Sequence, residues 1–249
     1  MSKGGVMLGV IGGTGLDRIP GLSIQRQEHI ATPFGAPSAP LAFGERGGEL
    51  FVFLPRHGGD HRIPPHRINF RANIWALKES GVKRVIGVAA VGGISHNMQP
   101  GSIVIPDQII DYTYGREHSF FDGDFRPVDH IEFGTPYCEQ LRGELIDAAT
   151  LAGVEVVTEG CYGATQGPRL ETIAEIRKMQ RDGADLVGMT GMPEAALAKE
   201  AGICYACCAV VANWAAGMDA EPISLEAIGQ QLDISMESVC QILMRMDMR

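Results

Sequence analysis

Positive charge is scarce in this sequence. Its 249 residues include 21 Lys and Arg against 30 Asp and Glu, which gives a formal net charge of −9 at pH 7. Proteins that bind nucleic-acid polymers rely on Lys and Arg to neutralise backbone phosphates, so we expect no nucleic-acid partner. An acidic chain can still bind one small anion where Gly, Arg and His are concentrated locally.

Long apolar runs are also missing. No stretch approaches the roughly 18 uninterrupted apolar residues that span a bilayer, and residues 1–5 lack the apolar core of a signal peptide. We therefore expect a cytoplasmic protein without a membrane partner. The six cysteines show no spacing typical of a disulfide framework, and most lie in apolar runs. We interpret them as core residues, including the pair Cys204 and Cys207.

Glycine, by contrast, is abundant at 32 residues, and several glycines stand where short apolar runs end. Such runs are typical of buried strands. The predicted strands cover residues 7–11, 50–54, 84–91, 103–105, 154–157, 186–187 and 203–211. Apolar residues at helical spacing predict helices over residues 67–79, 138–151, 170–181, 194–201 and 224–246. Residues 233–235 are a candidate break in the last helix.

The alternation of strands and helices predicts an α/β fold. A largely parallel sheet covered on both faces accounts for this order. No internal repeat or linker-like composition divides residues 1–249, so we expect one domain. The long polar segment 112–136 is the exception to the compact pattern, and long loops of this kind tend to carry function.

Three turns that are rich in glycine or basic residues follow predicted strands, where ligands of open α/β sheets collect. The first contains Gly12, Gly13, Thr14 and Gly15. Small residues let backbone N–H groups approach an anion, and Thr14 adds a hydroxyl donor. The turn has neither the dinucleotide-binding fingerprint nor a Walker loop. A plain strand-to-helix turn is the alternative interpretation.

The second turn contains Arg56, His57 and His61. Arg56 can hold two phosphate oxygens in a planar fork, and His57 adds a further donor. A solvated basic loop is the alternative. The four-residue spacing of His57 and His61 suits a metal only on a helix, which Gly58 and Gly59 disfavour. We expect no metal.

The third turn covers residues 188–194 and joins a strand to a helix that starts at Pro193. Thr190 therefore faces the positive end of a helix, where an anion is stabilised. Glu194 lies in the first turn of that helix. It is a candidate helix cap or a candidate partner for a hydroxylated ligand.

In this order, the turns resemble those of the trimeric purine nucleoside phosphorylases, and most closely the 5′-deoxy-5′-methylthioadenosine phosphorylase branch. The matching segments span nearly the whole chain and include residues 12–17, 32–35, 56–58, 73–78, 166–169, 193–194 and 198–205. The resemblance implies a single-domain, three-layer α/β sandwich around a mixed sheet. It also implies a homotrimer that carries out reversible phosphorolysis of a purine nucleoside, with inorganic phosphate as co-substrate and no cofactor.

The resemblance also implies a role for individual residues. The family's phosphate contacts fall on Thr14, Arg56, His57, the backbone N–H of Ala90, and Thr190. A further contact, usually a Thr hydroxyl, falls on Ala89 and is lost. Met189 takes the position of the family's ribose contact. His130 matches a histidine that the family lends to the site of a neighbouring subunit.

The base pocket departs from the adenine-specific members, which carry two Asp residues two positions apart. Here those positions are Asn213 and Ala215, and the base-stacking aromatic is replaced by Leu170. An ionised carboxylate suits the N6 amino group of adenine but repels the O6 of hypoxanthine. An Asn amide can donate to O6 and accept from a protonated N7. Asn213 therefore predicts a 6-oxopurine and, with Arg56 and His57, forms the candidate catalytic set.

At the 5′ end of the sugar, the matching positions are Leu225 and Ile228, with His61 and His130 nearby by analogy. Leu and Ile suit a methylthio group, whereas a 5′-hydroxyl needs a polar partner. The expected substrate is 5′-methylthioinosine, which would yield hypoxanthine and 5-methylthioribose 1-phosphate. The alternatives are an inosine or guanosine phosphorylase, a methylthioadenosine phosphorylase that tolerates Asn213, and a non-catalytic nucleoside-binding protein.

Overall fold

A computed structural model describes residues 7–13, 23–46, 49–123, 125–219 and 223–246. Its strands are β1 (Met7–Gly12), β2 (Ser23–Glu28), β3 (Leu41–Arg46), β4 (Glu49–Pro55), β5 (Val82–Gly93), β6 (Ile103–Val104), β7 (Gln108–Asp111), β8 (Cys161–Ala164), β9 (Leu186–Gly188) and β10 (Cys204–Trp214). Its α-helices are α1 (Phe70–Glu79), α2 (Glu139–Ala152), α3 (Ile173–Asp182), α4 (Gly191–Glu200) and α5 (Leu225–Arg245). None of the helices in these ranges combines the length and apolar character of a membrane span.

The strands form one mixed sheet. Along its main path the order is β2-β3-β4-β1-β5-β9-β8-β7, and β10 pairs with β5 beside this path. β4, β1, β5 and β10 run parallel, so their carboxyl ends meet at one edge. β9 is antiparallel to β5 and pairs with it through Gly92 and Gly93, the same residues that pair with the end of β10. The sheet therefore divides into two branches at the end of β5.

Helices cover both faces of the sheet. α1 and α4 pack into one apolar cluster, and α2 and α5 pack into the other. The strands feed both clusters by alternation: in β10, Tyr205 and Cys207 point to the first, and Ala206 and Cys208 point to the second. This arrangement confirms the predicted three-layer α/β fold with a mixed, largely parallel sheet.

Local capping explains where the helices begin and end. The Asn69 side chain accepts from the backbone N–H of Ala72, so α1 begins three residues later than predicted. Thr172 and Glu175 form a capping box that fixes the start of α3 in the same way. α2 ends at Gly153, whose left-handed conformation favours glycine. The candidate break at residues 233–235 is absent, because α5 runs through it as one helix.

Several strand predictions need correction. The predicted strand 154–157 forms only an isolated bridge between Val157 and Val104. The sequence pattern also missed β2, β3, β7 and β8. β2 is exposed along most of its described length and has the sequence SIQRQE, without the apolar alternation of a half-buried strand. β8 has only four residues, too few to show a period.

The prediction for the cysteines needs one correction. Cys138 and Cys204 form a disulfide, whereas the sequence predicted core cysteines without a disulfide framework. The two are 66 positions apart, so a search for local spacing does not find the pair. Cys138 caps α2, and its backbone N–H donates to the carbonyl oxygen of Tyr205. Cys207 and Cys208 are buried free thiols, and burial raises the pKa of Cys208 to about 12.

Candidate functional site

A cavity of about 410 Å³ opens where the sheet divides. Its walls come from the ends of β5, β9 and β10, from the turns after β1 and β4, and from one face of α5. The predicted site residues that line it are Arg56, His57, His61, Ala90, Leu170, Met189, Thr190, Asn213, Ala215 and Ile228. The carboxyl ends of parallel strands thus gather residues that lie far apart in the sequence.

Three predicted site residues are not among those that line this cavity, and for two of them the structure describes no side chain. Thr14 lies outside the described residues, and so does the side chain of Leu225, whose backbone begins α5. His130 is exposed and does not line the cavity. Its backbone N–H donates to the carboxylate of Asp129. A role for His130 in the site of a neighbouring subunit stays a prediction.

Arg56 lies under the cavity with its side chain only 2% exposed. Its planar fork is occupied by Glu194: Nε is 2.7 Å from Oε2, and Nη2 is 2.8 Å from Oε1. Nη1 also donates to the carbonyl oxygen of Val88, and Nη2 donates to that of Ile11. Contacts among the described residues thus engage four of the five guanidinium N–H groups, and the one left for a ligand is on Nη1.

Glu194 neither caps α4 nor lines the cavity. It is fully buried and holds Arg56. Burial by itself lowers the pKa of Arg56, but the Glu194 carboxylate outweighs it and the net shift is upward. The two side chains therefore form a charge-compensated pair.

His57 is neutral at pH 7. Burial is the main cause that lowers its pKa to about 4, and the neighbouring Arg56 cation acts in the same direction. Nδ1 lies 2.8 Å from the carbonyl oxygen of Ile63. A carbonyl only accepts, so this contact assigns the hydrogen to Nδ1 and leaves Nε2 as an acceptor. In this state, the hydroxyl of a hydrogenphosphate ion can donate to Nε2.

Substituting His57 by Asn is expected to reduce the loss of thermal stability on acidification. Asn keeps an N–H for the Ile63 carbonyl but does not titrate. The pKa of His57 is about 4 when folded against 6.5 ordinarily, so between these values the unfolded chain binds more protons. The stability from neutral His57 is complete above pH 6.5 and is lost as the pH falls to 4. Tm measured across this range tests the prediction, and parallel curves for wild type and variant would contradict it.

Thr190 joins β9 to α4 at the N-cap position of the helix. It is buried, and its backbone N–H lies 3.4 Å from the hydroxyl oxygen of Tyr162. Tyr162 is itself fully buried. Thr190 and Arg56 thus reach the cavity from different elements, and a buried side chain contacts each of them from below.

Asn213 reaches the cavity through an irregularity in β10. The register against β5 shifts between Val211 and Asn213, and bulges of this type re-aim a side chain beside a functional site. Nδ2 donates to the carbonyl oxygen of Trp214 at 2.6 Å. The amide therefore keeps Oδ1 and one Nδ2 hydrogen for a ligand. Ala215 and the 43% exposed Leu170 complete this end of the cavity.

Glu171 is a lining residue that the sequence interpretation missed. Its Oε1 accepts from the hydroxyl of Thr165 at 2.6 Å. The sequence does indicate it, because Glu171 directly follows Leu170, which the resemblance places at the base. A carboxylate at that position gives the cavity an acceptor for a base N–H.

Arg116 was missed as well, although the segment that carries it was expected to be functional. Its guanidinium donates to the carbonyl oxygens of Thr165, Gln166 and Met189. It is 9% exposed, and burial lowers its pKa. Arg116 therefore ties the segment 112–136 to two loops of the cavity. No local pattern distinguishes this arginine from a solvated one.

The helix α5 supplies a mostly apolar wall. Ile228, Leu232 and Met236 line the cavity from successive turns, and Ile223 precedes the helix. Asp233 is the charged exception on this helix among the lining residues. This wall suits a small apolar substituent better than a hydroxyl.

The chain is similar to known proteins over almost its whole length. The family model described as "Phosphorylase superfamily" matches residues 7–246. A probable S-methyl-5′-thioinosine phosphorylase of Xanthomonas campestris pv. campestris is 48% identical over 244 residues, which cover 98% of each chain. The 6-oxopurine nucleoside phosphorylase of Pyrococcus furiosus is 42% identical over 242 residues, 95% of this chain and 90% of the relative. The solved structure of methylthioadenosine phosphorylase from Schistosoma mansoni with adenine has a TM-score of 0.91 at 33% identity, covering 96% of this chain and 90% of that one.

Proposed function

This chain belongs to the phosphorylase superfamily, and from that premise we propose that it cleaves S-methyl-5′-thioinosine with inorganic phosphate. The products are hypoxanthine and 5-methylthioribose 1-phosphate. The observation that carries the proposal is the base end of the cavity, which Asn213 and Ala215 line in place of the two Asp residues of the adenine-specific members. Relatives named for S-methyl-5′-thioinosine and for 6-oxopurine nucleosides support it.

Two side chains select the base. Hypoxanthine presents an acceptor at O6 and a donor at N1, whereas adenine presents a donor at N6 and an acceptor at N1. The remaining Nδ2 hydrogen of Asn213 suits O6, and the Glu171 carboxylate suits the N1 hydrogen. Adenine would place its bare N1 against that carboxylate, a mismatch that a polar site penalises strongly.

The reaction makes one bond and breaks one. A phosphate oxygen attacks C1′ of the sugar while the C1′–N9 electron pair leaves with the base. Positive charge develops on the sugar and negative charge on the purine, so groups that bind these charges lower the barrier. The proton that hydrogenphosphate loses in forming the sugar phosphate is balanced, through solvent, by the proton that the purine gains at N7, and Asn213 Oδ1 accepts a hydrogen bond from this N7–H. We therefore assign to Asn213 the role of stabilising the leaving base.

At the phosphate end, hydrogen bonds rather than net charge hold the anion. Arg56 is neutralised by Glu194, and His57 carries no charge at pH 7. We assign the phosphate to Arg56 Nη1, His57 Nε2, Thr190, the backbone of Ala90, and Thr14 from outside the described residues. Ala89, where the family usually has a Thr, removes one donor from this set.

An inosine or guanosine phosphorylase is the second candidate. Asp233 and His61 both line the cavity and offer partners for a 5′-hydroxyl. The apolar majority of the α5 wall favours the methylthio group instead. The two candidates share the base and differ only at the 5′ end of the sugar.

A substrate panel tests the proposal. Purified protein is incubated with phosphate and S-methyl-5′-thioinosine, S-methyl-5′-thioadenosine, inosine or guanosine, and the released base is measured. We expect S-methyl-5′-thioinosine to react best and inosine to have a kcat/KM about 10- to 200-fold lower, the range for one apolar group in a pocket. Strong cleavage of S-methyl-5′-thioadenosine alone would refute the role of Asn213. Equal turnover of inosine would refute the apolar 5′ site.

We further propose a homotrimer in the cytoplasm, built from one domain per chain and active without a cofactor or metal. Support for the assembly comes from the segment 112–136. Tyr114 and Val128 are 73% and 67% exposed on it, and His130 of the same segment is exposed as well. Apolar side chains presented in this way suit a contact with a second copy. The contact would bring His130 toward the neighbouring substrate.

A further inference from the structure

A chain of three buried polar side chains lies beneath the phosphate end of the cavity. The Tyr205 hydroxyl donates to Glu194 Oε1 at 2.8 Å, and Glu194 in turn binds the fork of Arg56. All three side chains are nearly or fully buried. Arg56 is the only one of them that lines the cavity. The other two reach a ligand only through Arg56.

The sheet accommodates these hydrogen-bonded side chains because residue 87 of β5 is a glycine. A Cβ at Gly87 of β5 would lie 2.1 Å from the Tyr205 hydroxyl and 2.9 Å from Glu194 Oε1. Both distances are far below a normal contact, so residue 87 must lack a side chain for Tyr205 and Glu194 to meet. The same strand also supplies Val88, whose carbonyl oxygen accepts from Arg56 Nη1. The strand β5 thus accommodates the hydroxyl and fixes the guanidinium.

We propose that Glu194 and Tyr205 are positioning residues, which hold Arg56 so that the single remaining N–H of Nη1 is directed to the attacking phosphate. This inference rests on the proposed phosphorolysis. Four of the five guanidinium N–H groups are engaged by Glu194 and by two carbonyl oxygens. The direction of the fifth is therefore set by the protein before phosphate arrives. Preorganised donors of this kind are effective because they need no rearrangement during the reaction.

The charge of Glu194 has a second consequence for phosphate. An uncompensated Arg56 would attract any anion strongly, in whichever orientation the flexible side chain allowed. With Glu194 in place, the pair is neutral and offers one directed donor. Tyr205 stabilises the buried carboxylate of Glu194 further by donating a hydrogen bond to Oε1. Loss of that hydroxyl leaves a buried carboxylate oxygen with one donor fewer, so Glu194 and Arg56 shift together.

The neighbouring Tyr137 provides a matched control. It is as buried as Tyr205, at 3% exposure for both, and their rings stack with centroids 6.1 Å apart. Its hydroxyl, however, has no hydrogen-bond partner among the described residues. Tyr137→Phe and Tyr205→Phe therefore make the same chemical change in the same part of the core. Only the second removes a bond in the chain that leads to Arg56.

The test measures KM for phosphate and for the nucleoside in wild type, Y205F and Y137F, with Tm as a measure of folding. We expect Y205F to raise the KM for phosphate about tenfold, the effect of one hydrogen bond to a charged group, with the nucleoside KM unchanged. Y137F should leave both KM values unchanged. A merely structural role for Tyr205 would lower Tm without raising the KM for phosphate selectively over the KM for the nucleoside.

A calorimetric titration with inorganic phosphate measures phosphate affinity directly, and so separates this inference from the proposed function. If wild type releases no base from any nucleoside, the proposed function fails, while weaker phosphate binding by Y205F than by Y137F still supports the positioning role. If wild type is active and Y205F binds phosphate as wild type does, the positioning role is wrong. Equal weakening in Y205F and Y137F would overturn it as well.

Discussion

Introducing Asp at both Asn213 and Ala215 is expected to reverse the preference between the two bases. The kcat/KM for S-methyl-5′-thioinosine should fall about 100-fold or more, because O6 loses its donor and meets a buried carboxylate. The kcat/KM for S-methyl-5′-thioadenosine should rise, because the N6 amino group gains acceptors. The ratio of the two values, measured by base release at saturating phosphate, reports the effect without depending on the amount of active enzyme.

Two further variants locate the cause of that reversal. Asn213→Ala removes the amide without adding charge, so it should slow S-methyl-5′-thioinosine cleavage without any gain for the 6-amino substrate. Adding Glu171→Gln to the double variant should improve the 6-amino substrate again, since an amide can donate to the bare N1 of adenine. An unchanged ranking of substrates in the double variant would place base choice elsewhere, at Leu170 or at the peptide groups near residues 91–93.

Replacing Arg56 alone by Met is expected to lower the free energy of unfolding by about 3–5 kcal/mol, the range for a broken buried ion pair. The variant leaves the carboxylate of Glu194 buried without its cation. Replacing both Arg56 and Glu194 by Met should restore most of the stability, because an apolar pair of similar volume needs no desolvation of charge. Urea denaturation at neutral pH measures all three free energies.

The surface pair of Arg169 and Glu175 is the control. These side chains are 67% and 40% exposed and lie 2.8 Å apart, so solvent screens their attraction. Arg169→Met should change stability little. The Arg56 and Glu194 double variant should fold yet bind phosphate poorly, which separates the loss of stability from the loss of the donor. A double variant as unstable as Arg56→Met would show that the ion pair itself stabilises the fold.

Sequence patterns predicted the cavity because its walls are strand ends. Apolar runs that stop at Gly or Pro mark the ends of β1, β4 and β5, and parallel strands bring such ends together with the end of β10. The resemblance to the phosphorylases placed Asn213 in the base pocket, and the donor and acceptor pattern of the purine then predicted the 6-oxo base. These features depend on short segments, so one sequence is enough to see them.

The remaining features depend on contacts between distant segments. Arg56 and Glu194 are 138 positions apart. Nothing in the sequence near either residue shows that the Arg56 guanidinium, expected to bind phosphate, already binds Glu194. Cys138 and Cys204 are 66 positions apart, and the packing of α2 against β10 brings them close enough to form their disulfide. The edge strand β2 is held by backbone pairing with β3, which leaves little pattern in its side chains.

The division of the sheet at Gly92 and Gly93 places two of the proposed contacts on different branches. The branch through β10 carries Asn213, to which we assign the leaving base, and the branch through β9 leads to Thr190, to which we assign the phosphate. In the proposed reaction, a change of purine therefore needs substitutions only at the base end of the cavity, at the end of β10 and at Glu171. Arg56, His57 and Thr190 can stay the same, so evolution on this scaffold can alter the leaving group without rebuilding the site of the nucleophile.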